Sequence, residues 1–448
     1  MNKCYLIFVF SAFFLAGCSS SNVITSFNSR IISGEYGRAM MLAESHIGDN
    51  PKASKDDVLW NMQAGTASRI VGLYGRSNEF FSEAERDLKN FNLEKNETAN
   101  QAASTVVNDN ILPYYPMHCE AVMLNTYKAV NMLAMGEWDN ARIEFNRAIE
   151  RQRRAKKFFS DKIQAARNEA KQESLAQKNL QRNQLRQTLY SSYPELKDFE
   201  PYGDYINPFL SYAAGIYFMY DGEDDKAEFL LKQAAGAVSQ SRYAVSDFKN
   251  FRAGKSYKEP RVWIFFENGL AAYKEEFRMD LPIMLESSGI NYVGIALPKL
   301  KYRSAPVQRL KVAASDDFYY TEPFCSIDRV IKAEFSKTYD AVFTRAVLSA
   351  SLKAAMQYAL YKEGGSLLSL AGAAYAFATT SADCRSWTSL PKQIQVLRME
   401  RPNSGEIVFM PGTDRQKKVE VPPEKDALIF VRAVSSRAEL SCEMIELN

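Results

Sequence analysis

Histidine is nearly absent from this chain of 448 residues: there are two, His46 and His118, far apart in sequence. That scarcity excludes histidine-rich metal sites and makes Ser-His-Asp or Cys-His catalysis depend on one of two residues. Neither Cys-x-x-Cys nor His-x-x-x-His occurs. An excess of one charge is missing too. The 56 Lys and Arg nearly balance 53 Asp and Glu, for a formal charge of +3, which argues against a strongly basic nucleic-acid binder. Gly254, Lys255 and Ser256 end like a phosphate-binding loop, but Lys249 stands where that loop needs its first glycine. Ser389 and Lys392 satisfy Ser-x-x-Lys, yet Pro391 opposes the required helix and no Ser-Asp-Asn or Lys-Thr-Gly accompanies them. Glu275 and Glu276 alternate faces on a strand and form no carboxylate pair there. No catalytic, cofactor-binding or metal-binding residue follows from these patterns.

What is present is a folding composition: 46% hydrophobic and 24% charged residues, enough for two to three domains at roughly 150 residues each. The first residues stand apart. Lys3 precedes the apolar stretch Tyr5–Leu15, and Leu15, Ala16, Gly17 and Cys18 follow the pattern of a lipobox. The stretch is too short to span a bilayer and reads as a bacterial secretory signal, residues 1–17. By resemblance to lipoproteins, Cys18 becomes the acylated first residue of the mature chain, with residues 18–22 as a short polar linker. Ser19 in place of Asp suggests sorting to the outer membrane, facing the periplasm. Loss of Lys3 lowers the formal charge to +2. Cys119, Cys325, Cys384 and Cys442 then remain, and the compartment permits either a disulfide among the last three or free buried thiols.

Residues 23–257 are expected to be helical. Gly34, Tyr36 and Ala39 form one local pattern; Gly136, Trp138, Ala141, Phe145 and Ala148 another; Gly222, Ala227, Leu231 and Ala234 a third; Gly65, Gly72, Tyr74, Phe81 and Ala84 a looser fourth. Each places glycine at a tight turn and small and large apolar residues on one face of the next helix. The offsets resemble the tetratricopeptide repeat, with the turn glycines 38, 64 and 86 residues apart instead of about 34. Degenerate repeats with insertions, or an ordinary helical bundle, both fit.

Residues 151–187 hold eleven Lys and Arg against three acidic residues, in a composition that favours a largely solvated helix. Arg151, Arg153, Arg154, Lys156 and Lys157 are its candidate partner-binding residues, for an anionic partner such as phospholipid headgroups, lipopolysaccharide or cell-wall carboxylates. A solvated charged face is the alternative.

From residue 258 the pattern changes to α+β. Arg261–Phe266 is an aromatic and β-branched strand, Asn268 and Gly269 signal a hairpin turn, and Ala272–Leu281 returns. Tyr292–Leu297 and Val307–Ala313 are further strands. Asp328–Lys362 reads as a helix, broken by Gly364 and Gly365 before a second helix over Ser366–Ala382. The strands Gln393–Met399, Glu406–Met410, Lys417–Val421 and Ala427–Val434 follow. The expected domain, 258–448, thus has antiparallel strands with an inserted helical hairpin. Residues 364–382 carry no charge; their Ala, Gly, Ser and Thr suit a buried hairpin, and membrane insertion is the alternative. Asp383 and Arg385 are expected to hold the helix end to the next strand, with Trp387 packed under the sheet. Trp263 is a second core anchor.

The ordered motifs around Trp263, Asn268 and Gly269, Leu281 and Pro282, Gly294 to Pro298, and Asp383, Arg385 and Trp387 with Leu390 and Pro391 resemble those of a family of uncharacterised bacterial lipoproteins with degenerate tetratricopeptide-like N-terminal regions. The resemblance covers nearly the whole mature chain. That family has Thr in place of Cys384, so it implies no disulfide there. Its genes often lie beside one for a lipoprotein resembling the activators of penicillin-binding proteins, which implies an envelope role by association and no enzymatic activity. The expected function is therefore an acylated scaffold or assembly factor whose partners are the membrane, through its acyl chains, and envelope proteins such as another lipoprotein or a cell-wall synthase. The alternatives are a non-catalytic regulator of a peptidoglycan synthase, or an enzyme with a carboxylate site.

Overall fold

The structure is a computed structural model that describes residues 19–48, 54–93, 110, 112–172, 206–255, 259–285, 289–412 and 415–447. Helices come first. Four pairs follow one plan: α1 (Ser19–Ser33) with α2 (Tyr36–Glu44), α3 (Asp57–Ile70) with α4 (Tyr74–Leu93), α5 (His118–Ala134) with α6 (Trp138–Gln172), and α7 (Pro208–Tyr220) with α8 (Asp224–Ala237). Each first helix ends at a glycine in the left-handed region: Gly34, Gly72, Gly136 and Gly222, with φ between +74° and +81°. That conformation stops a helix and turns its last amides back. Glu35 N–H donates to Arg30 O at 2.9 Å, and Glu137 N–H donates to Met132 O at 2.8 Å. The next helix begins two residues after the glycine. The short helix α9 (Arg242–Arg252) closes the series.

The strands are β1 (Arg261–Asn268), β2 (Tyr273–Leu285), β3 (Ile290–Lys301), β4 (Lys311–Ala314), β5 (Asp317–Tyr320) and β6 (Glu322–Ser326), then the long helix α10 (Ile327–Thr379), then β7 (Gln393–Glu400), β8 (Glu406–Met410), β9 (Lys417–Glu420), β10 (Ala427–Ala433) and β11 (Ser441–Glu446). The chain groups into two compact units, each drawing on segments from both sides of residue 258. One comprises Met1–Pro116, Ala272–Tyr302 and Thr338–Ser389; the other Met117–Ala271, Arg303–Lys337 and Leu390–Asn448.

In the second unit a five-stranded sheet runs β11-β10-β1-β7-β6, and a four-stranded sheet runs β5-β4-β8-β9. The sheets are mostly antiparallel, with one exception that corrects two expectations. β1 lies parallel to β10, Phe265 opposite Phe430, and antiparallel to β7. Asn268 and Gly269 therefore do not turn a hairpin into β2, which pairs with β3 instead. The physical reason is burial: seven of the eight β1 residues are buried, so both edges of the strand and both of its faces need neighbours. Gly269, at φ +69°, leads the chain out of the sheet, and its N–H donates to Ala433 O at 2.8 Å. Phe209 and Tyr212 of α7 set their rings edge-on against Phe265. The strands β5, β6 and β11 were not anticipated, and β4 begins at Lys311 rather than Val307.

In the first unit the β2–β3 ribbon packs on a helical hairpin. α10 breaks at the expected glycines, Gly364 (φ −145°, ψ 18°) and Gly365 (φ +65°, ψ −155°), the latter a glycine-only conformation. The arms return antiparallel: a Cβ on Gly372 would meet Leu360 at 2.8 Å, and Lys353 Nζ lies 3.2 Å from Thr380 Oγ1. The second arm ends at Thr379. Among the described residues no helix is long and apolar enough to cross a membrane.

Candidate partner-binding surface

The part of the basic stretch that is described, residues 151–172, forms the far half of α6, a continuous helix of 35 residues. It is less solvated than its composition suggests. Ala141, Phe145, Ala148, Gln152, Ala155 and Phe159 are all buried, recurring every four and three residues as one stripe. Gln152 stands in this stripe because both ends of its amide are bonded: Oε1 accepts Asn207 N–H at 2.6 Å, and Nε2 donates to Gln233 Oε1 at 3.2 Å. Phe159 meets the His118 ring edge-on at 5.3 Å. The anchored stripe pushes Arg153, Arg154, Lys156 and Lys157 to the solvent side, with Arg151 half-buried. Glu150 accepts Arg153 Nε and Nη2 at 2.7 and 2.8 Å and Arg154 Nε at 2.7 Å. The hydrogen bonds from Arg153, then Arg154, hold its carboxyl down to about 2. The exposed face is thus a held row of cations, suited to an extended anionic surface and weakened by salt. Residues 173–187 of the stretch, and Cys18 with the signal segment, lie outside the described residues. The segment 19–22, expected as a linker, falls within α1.

The motif beyond α10 has a different role from the one expected. Arg385 grips Asp383 through Nε and Nη2, both at 2.9 Å, while Nη1 donates to Asp56 Oδ1 at 2.8 Å and Leu112 O at 2.9 Å. Burial works against charge on Asp383, but Arg385 holds its carboxyl below the ordinary value. Trp387 does not pack under a sheet. Its Nε1–H donates to Thr66 Oγ1 at 2.8 Å, and its ring meets Phe81 edge-on at 5.7 Å, so it fills the core of the α3–α4 pair. Gln63 of α3 continues the tie, donating to Thr388 Oγ1 at 2.8 Å and accepting Ser389 Oγ at 2.6 Å. The polar groups of Asp383 and Arg385 are thus engaged within their own unit.

Trp263 is buried, and its Nε1–H donates to Asp247 Oδ2 at 2.9 Å. The same carboxylate accepts Tyr212 OH at 2.5 Å and pairs with Arg398. Asn268 Nδ2 donates to Val307 O at 2.5 Å. Cys119, Cys325, Cys384 and Cys442 are free thiols; burial pushes those of Cys325, Cys384 and Cys442 up to about 12. No cluster of three or more potential metal ligands occurs among the described residues.

One buried acid escapes sequence inspection. Glu334, on the first turns of α10, accepts the N–H groups of His118 and Cys119 at 2.7 and 2.9 Å, capping α5. Burial raises its carboxyl to about 7 against the pull of those amides. Its only local signal is a glutamate between Ala333 and Phe335 in an apolar helix.

No family model matches the chain, and neither the curated proteins nor the solved structures yield a match.

Proposed function

We propose that this chain is an acylated lipoprotein of the outer membrane, facing the periplasm, that holds a protein partner on a tetratricopeptide-like scaffold. The observation that carries the reading is the repeated helix pair. In two pairs the small residue and the large one that fills its place are spaced alike, Gly65 against Phe81 and Gly215 against Leu231, each with the turn glycine seven residues after the small one. Repeated pairs of this kind bury one face on each other and leave another to bind partners. Acyl chains on Cys18 would keep that surface at the membrane, since each buried methylene contributes about 0.8 kcal/mol and several chains anchor stably. The cation row on α6 would add electrostatic attraction to an anionic partner or surface.

The test is fractionation of cells producing the wild-type chain or Cys18→Ser, followed by crosslinking in intact cells and recovery of the chain. The expected result is release of the variant from membranes and loss of one envelope protein from the crosslinked set. A variant that stays with the membrane, or a wild-type chain that crosslinks to no envelope protein, overturns the reading. Recovery of a peptidoglycan synthase, with altered glycan polymerisation on adding the protein, would turn the scaffold into a regulator.

A further inference from the structure

Helix begins directly after Cys18, the residue proposed to carry the acyl chains. α1 starts at Ser19, so no open linker separates the anchor from the body. Val23 and Ile24 are already half-buried, and Ser19 stands only about 6 Å of helix before Val23. An extended stretch from Cys18 to Val23 would reach about 17 Å instead.

α1 is also fixed to its own unit. Phe27 and Ile31 are fully buried, the Phe27 ring meets Trp60 edge-on at 6.2 Å, and Asn28 Oδ1 accepts Thr388 Oγ1–H at 2.6 Å. Propagating a packed helix gains one hydrogen bond per added residue without a new nucleus. The acyl-bearing residue is thus joined to the core of the first unit by a post, where a flexible tether would leave the body free to turn.

The post determines which surface meets the bilayer. α1 and α2 fold back about the Gly34 turn, so the amino end of α1 shares its end of the unit with the residues that follow α2. Those residues meet the start of α3: the Asp57 carboxylate accepts Gly48 N–H at 3.0 Å and Ser54 N–H at 2.6 Å, and the His46 and Trp60 rings lie 5.2 Å apart. Lys55 O accepts Tyr114 N–H at 2.6 Å, which brings Tyr115 to the same end. Ser45, His46, Ser54 and Lys55 are exposed, Ile47 is half-buried, and Tyr115 is 40% exposed. An exposed tyrosine suits the depth of lipid headgroups. Lys55 pairs with Asp56 at 2.9 Å, so the shortness of the post, more than charge, sets this face against the lipid.

We propose that this end of the first unit, Ser45 to Ile47 with Ser54, Lys55 and Tyr115, lies on the phospholipid headgroups of the leaflet that holds the acyl chains. The inference rests on acylation at Cys18.

The acylated full chain tests it in phosphatidylethanolamine–phosphatidylglycerol vesicles that carry a nitroxide on some of the headgroups. Ser54→Cys, Ser29→Cys and Gly37→Cys each take one fluorescent label, and the parental chain sets the background from native thiols. Ser29 is on the exposed side of α1, and a carbon added at Gly37 meets nothing within 4 Å. Along the post they stand about 15 and 18 Å from Ser19. Quenching is expected to be strong at Ser54 and weak at both other positions. Equal quenching at all three means a loose tether, and strongest quenching at Ser29 means a body lying on its side; either overturns the proposal. A flexible Gly-Ser segment inserted between Ser20 and Ser21 supplies the second arm. The chain should still sediment with vesicles, while quenching at Ser54 falls to the level at Gly37. Quenching at Ser54 that survives the insertion overturns the post. A wild-type chain that carries no acyl group and leaves the vesicles in solution fails at the earlier step, the reading on which the proposal rests, and takes the proposal with it.

Discussion

Gly65 of α3 lies against Phe81 of α4 so closely that a Cβ on the glycine would fall 2.5 Å from the ring. Fully buried Phe81 has no room to retreat, because the edge of its ring also meets Trp387. Gly65→Ala is therefore expected to cost about 1–3 kcal/mol through overpacking, although alanine is the better helix former. Gly37→Ala, at a helical position with nothing within 4 Å of the added carbon, is the control and should be neutral or stabilising by up to about 1 kcal/mol. Urea unfolding of both variants checks the difference. Equal effects would mean that the close contact does not limit the packing of this pair.

Arg385 and Asp383 predict a second asymmetry. The guanidinium makes a two-pronged bond to Asp383 and reaches Asp56 and Leu112 as well, with only 11% of its side chain exposed. Arg385→Lys keeps the charge but not the fork, so it should recover little of the stability lost in Arg385→Ala, about 3 kcal/mol for a carboxylate left without its partner. Asp383→Asn combined with Arg385→Ala should then be less damaging than the sum of the two single changes. Strict additivity in denaturant melts would show that the two groups do not act as a pair.

These contacts mark where sequence reading succeeds. Turn glycines are local: Gly34, Gly136 and Gly222 sit where the helix must end, and the left-handed conformation at each admits little else. The break at Gly364 and Gly365 was legible for the same reason. Strand pairing is not local. The apolar run in β1 announces a buried strand, but nothing near it says that its parallel partner begins at Ala427; the Asn268–Gly269 signal pointed to the nearer, wrong neighbour. Trp387 was recognisable as an anchor, yet its partner Thr66 lies 321 residues away. On α6 the stripe was legible as far as Ala148; beyond it Gln152 and Ala155, set among arginines and lysines, look like a solvated surface. β5 is only four residues long and its aromatic side chains are mostly exposed, so it showed no alternation of buried and exposed positions.

Glu334 sets a pH dependence with an unusual sign. Its folded carboxyl titrates near 7 rather than at the ordinary 4.5, because burial outweighs the two amides and the nearby Glu120 adds repulsion. Between those values the folded chain holds a proton that the unfolded chain has released. Its contribution to stability therefore falls as pH rises from about 4.5 to 7 and is constant above, by an amount on the order of 3 kcal/mol. Glu334→Gln removes the titration. The stability of the wild type relative to this variant, from urea melts, should be greater at pH 5 than at pH 7.5. A difference that does not change with pH would place the carboxyl back in the ordinary range.

The cation row of α6 should separate binding from folding. Lys156 and Lys157 are exposed, while the helix is fixed from beneath by Ala155 and Phe159. Lys156→Glu with Lys157→Glu is expected to shift stability by no more than about 0.5 kcal/mol for each surface change. The same pair lowers the charge of the row Arg151, Arg153, Arg154, Lys156 and Lys157 from +5 to +1, which Glu150 offsets, and should abolish association with anionic vesicles or cell-wall fragments. Wild-type association should also weaken as ionic strength rises past about 0.15 M, where the screening length is about 8 Å. Ala155→Glu makes the opposite prediction: it buries a charge under the row, so unfolding should become easier while the exposed cations stay in place. Association that survives charge reversal at the two lysines would assign the row to solvation alone.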